Sequence, residues 1–226
     1  MAYFKYAAAM LAALALCSCA NIRSAPTTQS ALMPFQNQPL TVITYRKTDF
    51  VAMTQTQAIS TDLFGAVGAA AAGSIATDNG NTLVGDDAIP DPAESISANL
   101  APLILGALKP SSVRPLSDVD ATHTDEAALA KLAGNKGVIF EVQTINWGFM
   151  HMPFSARYKI AVTLRARLIN ASTGKRIAQA PCVYASEDDG APTYDEMVAD
   201  QGARLKAMLS AGTDVCSGSI QKLLVN

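Results

Sequence analysis

Hydrophobic and polar residues alternate most regularly over residues 156–169, ARYKIAVTLRARLI. Tyr158, Ile160, Val162, Leu164, Ala166 and Leu168 fall on one face, with Lys159, Thr163, Arg165 and Arg167 on the other. This period of two predicts a strand with one buried face, and its basic stripe reads as the wet side of a half-covered strand. Asn170 to Gly174 (NASTG) is a turn, and Lys175 to Tyr184 returns as the next strand. Upstream, Gly137 to Trp147 opens with a short apolar run and then alternates, predicting a largely buried strand, and Leu40 to Met53 is β-branched and aromatic, predicting a first strand. Val113 to Leu116 suits a short strand.

Helical spacing separates these runs. Asp91-Pro92-Ala93-Glu94 combines an N-cap with Pro at the first helical position, and Ile96, Leu100, Leu103, Ile104 and Ala107 then share a face. Pro102 interrupts that pattern and predicts a kink or an early end. Asp125 to Ala133 forms a second helix, with Thr124 as candidate cap and Gly134 at its end. Thr193-Tyr194-Asp195-Glu196 is a capping box that starts a long helix reaching about Leu224. The order β-α-β-α-β-β-β-α predicts an α/β (α+β) fold: a single mixed β-sheet with helices mainly on one face and a long C-terminal helix.

The N-terminus changes this picture by giving the chain an address. Lys5 precedes an apolar run from Ala7 to Leu16, too short for a bilayer core of about 20 residues, and small residues follow. This is the layout of a signal peptide, residues 1–18. Leu16-Cys17-Ser18-Cys19 resembles the bacterial lipobox, departing from its usual pattern in having Cys17 where Ala, Ser or Thr is common. The resemblance implies diacylglycerol on the Cys19 sulfur, cleavage before it and acylation of the new amine, a stable anchor because each buried CH₂ contributes about 0.8 kcal/mol. An ordinary secreted protein cleaved nearby is the plainer reading. Ala20 is not the Asp that signals inner-membrane retention in enteric-type bacteria, so the resemblance points to the outer membrane, facing the periplasm. Residues 19–39, rich in Ser, Thr, Gln, Asn and Pro, then read as a lipidated flexible tether, and residues 40–226 as a single domain.

Processing also makes the cysteines informative. With Cys17 removed and Cys19 acylated, only Cys182 and Cys216 remain, and two thiols in an oxidising periplasm are expected to pair. Loss of Lys5 leaves 16 basic residues against 19 acidic, and no basic run, so nucleic acid is not an expected partner. Hydrophobic residues at 50% suffice for a core.

Residues 58–90 read as a Gly/Ala-rich insertion. Within it, DLFGAVGAAAAGSIA (62–76) spaces Gly65, Gly68 and Gly73 among small residues, and polar turn residues follow from Thr77 to Pro90. As a helix the stretch offers a smooth surface for close approach. It reads either as a packed or flexible surface helix or as a site of membrane contact and self-association into a homo-oligomer.

Catalytic chemistry is not legible. His123 sits in a polar loop, and alternation in Met150-His151-Met152 turns His151 away from both methionines, leaving no geometry for copper. Asp86-Asp87 and Glu187-Asp188-Asp189 lie in turn-like stretches and read as solvated, with a weak Ca²⁺ contact as the alternative. No nucleophile or phosphate-loop motif is present. No cofactor, metal or catalytic residue is expected, and the chain does not read as an enzyme. The strongest contact candidate is Trp147, Phe149, Met150, Met152 and Phe154, which read either as cover for the sheet end or as a partner surface.

The element order resembles the α/β domains of the TolB N-terminal region and the curli secretion lipoprotein. The segments Gly80 to Val84, Asp91-Pro92-Ala93, Asn146 to Phe149 and Ala191 to Glu196 are similar to those of proteobacterial lipoproteins of unassigned function, over roughly residues 40–224. The expectation is a lipid-anchored periplasmic envelope protein acting as a non-enzymatic binding or assembly module for an envelope protein partner. A subunit of an outer-membrane secretion or pore complex using residues 62–76 is the alternative, and an envelope hydrolase is the weakest reading.

Overall fold

The computed structural model describes residues 24–54, 73–122 and 124–225. The signal peptide, Cys19, Gly65, Gly68 and His123 lie outside the described residues.

Six strands form one mixed sheet. β1 (Leu40–Tyr45) and β2 (Phe50–Ala52) both run parallel to β4 (Val138–His151), one after the other along the same side. The single strand expected over 40–53 is thus broken at the polar residues 46–49, where Thr48 Oγ1 donates to the Thr144 carbonyl at 2.9 Å. Beyond β1 lies β3 (Val113–Val119), an edge strand longer than its apolar residues suggested. β5 (Tyr158–Asn170) and β6 (Lys175–Ala185) follow β4 as antiparallel neighbours, giving the order β3-β1-β4-β5-β6. A register shift between Thr144 and Asn146 exchanges the faces of β4, so even-numbered Phe140 and Val142 and odd-numbered Trp147 and Phe149 enter the same core.

Three helical segments pack on that face: residues 73–86 (α2), α3 (Pro92–Leu108) and the C-terminal α5 (Tyr194–Leu224). Residues 77–86 are therefore helical, and only 87–90 form the expected turn. The reason is tertiary: Gly80 brings α2 against β2, where a Cβ would lie 2.0 Å from the Phe50 carbonyl oxygen. α3 passes through Pro102 without ending, because Pro102 and Ala98, whose carbonyl it leaves unpaired, both lie on the exposed side. The opposite face of the sheet carries the short α4 (Glu126–Leu132), whose Leu129 and Ala130 pack on Ile43, Ile139 and Ile169. Its cap is Asp125, accepting from the amides of Ala127 and Ala128, not Thr124.

Two further expectations are corrected. The tether does not extend to residue 39: Ala25 pairs with Gln179 on the β6 edge, the Thr27 amide donates to the Leu223 carbonyl, and α1 (Gln29–Leu32) buries Leu32 completely. One buried leucine and backbone hydrogen bonds at Ala25, Thr27, Asn37, Gln38 and Pro39 dock a segment whose composition looks flexible. The C-terminal helix is not continuous either. Its capping box is present, but Ala199 to Gly202 leave helical geometry, with Asp200, Gln201 and Gly202 all left-handed. The turn at Asn170–Gly174 forms as expected, with Gly174 at φ 62°.

Candidate docking surface

The stretch from Trp147 to Phe154 divides between core and surface. Trp147 and Phe149 are buried, since the register shift aims both at the helical face. The indole N–H donates to the Thr48 carbonyl at 2.9 Å, and Lys47 lies 5.6 Å from the ring centre. Burial lowers the Lys47 pKa, partly offset by Asp91 and Glu94. From Trp147 an edge-to-face column continues through Phe50 (4.8 Å), Phe149 (5.8 Å from Phe50), Tyr158 (5.6 Å from Phe149) and His151 (5.4 Å from Tyr158). Tyr194 at the start of α5 joins it at 5.9 Å from Phe149. Such pairs add about 0.5–1.5 kcal/mol each beyond area burial, which makes this a stiff base.

Met150 and Phe154 are different. Met150 faces away from the column and is about half exposed, whereas Phe154 at the hairpin end is as exposed as in an open chain, at 107%. Phe154 also holds φ 58°, a left-handed conformation that costs a non-glycine residue roughly 1–2 kcal/mol. The turn that imposes it is hydrogen-bonded: the Met152 amide donates to the Arg157 carbonyl at 2.9 Å and the Arg157 amide to Ser155 Oγ at 3.1 Å. Met152 is partly buried at the root of that turn.

The other candidate residues are scattered. Cys182 and Cys216 form a disulfide with Cα atoms 5.6 Å apart, joining β6 to α5. Gly73 begins the described part of α2, and a Cβ there would meet nothing within 4 Å. Among the described residues, no helix is long and apolar enough to cross a membrane, and no group of three or more His, Cys, Asp or Glu residues is placed to hold a metal ion.

The basic stripe on β5 is not uniformly wet. Lys159 pairs with Asp188, but Arg167 is buried beneath α4 and its Nε donates to the fully buried Glu141. Arg167 also reaches Glu126 at 3.3 Å and the Thr124 carbonyl at 2.9 Å, while Arg165 donates to Gln143 Oε1 at 2.6 Å. Burial lowers the Arg167 pKa, but Glu141, followed by Tyr45 and Glu126, together more than restore it, so the net shift is upward. The Tyr45 hydroxyl is pushed up by burial and then by the Glu141 charge. Burial also raises Glu126, but the Arg176 hydrogen bond and the charges of Arg176 and Arg167 hold it below the ordinary carboxylate value. Alternation alone shows which face Arg167 occupies; it does not show that a helix covers that face.

No protein-family model matches the chain, and no curated protein does. Among solved structures, the chain is similar to the PelC dodecamer from Paraburkholderia phytofirmans, with 12% identity and a TM-score of 0.33. A point variant of that protein is similar at 13% identity and the same TM-score. Both likenesses cover 89% of this chain and 93% of the other. At those values neither bears on what this chain does.

Proposed function

We propose that this chain is a lipid-anchored envelope protein, held to the outer membrane through Cys19 and facing the periplasm, which serves as a non-enzymatic binding or assembly module. The observation that carries the reading is Phe154, fully exposed on a rigid turn and aimed outward from an aromatic column. Exposed aromatics on stiff supports are the kind of residue that anchors a partner, because little conformational entropy is lost on binding. The lipobox-like segment supports the address, and the Cys182–Cys216 disulfide suits an oxidising compartment. Docking begins by Ala25, so covalent reach from Cys19 is at most roughly 20 Å, and the domain sits close to its anchor. The partner is an envelope protein with an apolar recess for the hairpin end.

The test has two arms. Palmitate incorporation should be present in the native chain and absent from Cys19→Ser; labelling that persists in that variant refutes the anchor. A photo-reactive residue at position 153 should cross-link an envelope protein, and Phe154→Asp should abolish the adduct without lowering the melting temperature, since Asp tolerates the left-handed φ better than Phe. An adduct unaffected by Phe154→Asp removes the hairpin end from the interface.

A further inference from the structure

We propose that the edge of β6 from Pro181 to Ala185, unpaired among the described residues, accepts an extended segment of a partner protein as an added antiparallel strand, seating an apolar side chain of that segment against α5. This rests on the binding-module reading and names a partner class for it, at a surface separate from the hairpin end. Gln179 and Ala25 exchange both backbone hydrogen bonds, at 2.8 and 2.9 Å, so this edge already takes one antiparallel partner residue from its own chain. Strand alternation carries the same lateral direction to residues 181, 183 and 185, while Ser186 turns inward to donate to Ile160. Pro181 offers only a carbonyl there, whereas Val183 and Ala185 offer donor and acceptor. Both are exposed, Val183 at 75%.

The space beside this edge is shaped for a side chain. A residue added opposite Tyr184 points towards α5, on the same face as Tyr184 itself. There a cleft of about 440 Å³ is walled by Tyr184, Met208, Ala211 and the half-exposed Val215. Tyr184 is fixed at its back because Gly212 leaves room for its ring; a Cβ at that position would lie 2.6 Å from Tyr184 Cδ1. The rim carries the exposed carboxylates Glu187 and Asp189, while Arg204 is turned to the Gly190 carbonyl at 3.3 Å. An antiparallel segment entering from the Ala185 end therefore meets acidic groups at its own N-terminal end. The partner that fits is an extended peptide segment with basic residues first and β-branched or apolar residues alternating after them, the pattern of strand addition to a sheet edge.

The probe is a short fluorescein-labelled peptide with two N-terminal lysines followed by alternating valine and threonine, added to the chain from Cys19 onward in detergent. Binding is read by anisotropy, and backbone amide exchange is followed at Val183 and Ala185. Both amides should exchange freely without peptide and slow at least ~10-fold with it, about 1.4 kcal/mol of protection. Val183→Pro removes an outward N–H that the β5–β6 ladder does not use, and Pro181 already occupies an equivalent place, so it should fold and bind at least ~10-fold more weakly. Val215→Asp should weaken binding through the cleft wall and is independent of any strand effect. Absence of binding overturns the proposal, as does equal binding by both variants. Protection without peptide in a monomer assigns the edge to this chain's own residues, and protection with dimerisation assigns it to a second copy; either result overturns the partner assignment. None of these results touches the palmitate or Phe154 tests.

Discussion

At the scale of single residues, the decisive energetic feature is Glu141 beside Arg167. Neither charge reaches water, and although Arg165 lies 3.8 Å from Glu141 and Glu126 3.3 Å from Arg167, the closest compensation each has is the other. Arg167→Met should destabilise the domain by about 3–5 kcal/mol, because it strands a buried carboxylate. Adding Glu141→Leu should recover most of that loss, because both charges then leave a site that apolar groups can fill. Urea unfolding of the two variants checks this, and a double variant as unstable as the single one would show that the pair itself stabilises the fold. Acid tests a neighbouring carboxylate. Glu126 is depressed in the folded state, so the unfolded chain binds protons first as pH falls through the ordinary value of about 4.5. Stability present above that pH should decline below it, and Glu126→Gln should flatten that part of the profile measured by thermal melting.

At the scale of elements, the break in α5 concentrates strain. Asp200 and Gln201 hold φ 51° and 57° although neither is glycine, and Gly202 follows at φ 66° against Asp87. Gln201→Gly should stabilise by about 1 kcal/mol through relief of the left-handed conformation. Gly202→Ala should destabilise by about 1–2 kcal/mol, since a Cβ is strained at φ 66° and would also press on Asp87 and Ile89. Thermal unfolding of both separates a strained break from a simple end-to-end pair of helices. The capping box at Thr193 was legible in the sequence because it is local; the break beginning at Ala199 was not, and there Gly202 packs against Asp87 and Ile89, more than a hundred residues away in sequence. Pro102 teaches the converse. Its local signal for interruption is real, yet Ala98, four residues before it, is on the solvent side, and the inward Leu100 and Ile104 keep the helix on the core.

At the scale of the molecule, the Cys182–Cys216 bridge pins the last helix to the last strand across 34 residues. Loop-closure entropy predicts that reduction costs about 3–4 kcal/mol, and Cys182→Ala with Cys216→Ala should lose a similar amount in urea unfolding. A loss under about 1 kcal/mol would mean that packing alone holds α5. The sheet's outer strands are guarded unequally. β3 carries Pro115 and a left-handed Asp118, and β6 is covered at Gln179, leaving Pro181 to Ala185 unpaired among the described residues.

The sequence by itself determined the order of strands and helices from α3 to α5, the buried face of β5, the capping box, the turn at Asn170 and the cysteine pairing. Each follows from periodicity, from groups a few residues apart, or from counting thiols. It also carries the lipobox-like segment on which the proposed address rests. Tertiary structure alone decided that Ser24 to Pro39 dock, that residues 73–86 are helical, that Arg167 is buried and that the aromatic stretch divides at Phe149. These depend on what lies across a face, and a one-dimensional pattern fixes which way a side chain points but not what covers it. For the same reason Met150, which looked like Trp147 in composition, became surface only once a register shift in β4 set which of them faced the helices, while Phe154 lies beyond β4 in the hairpin turn.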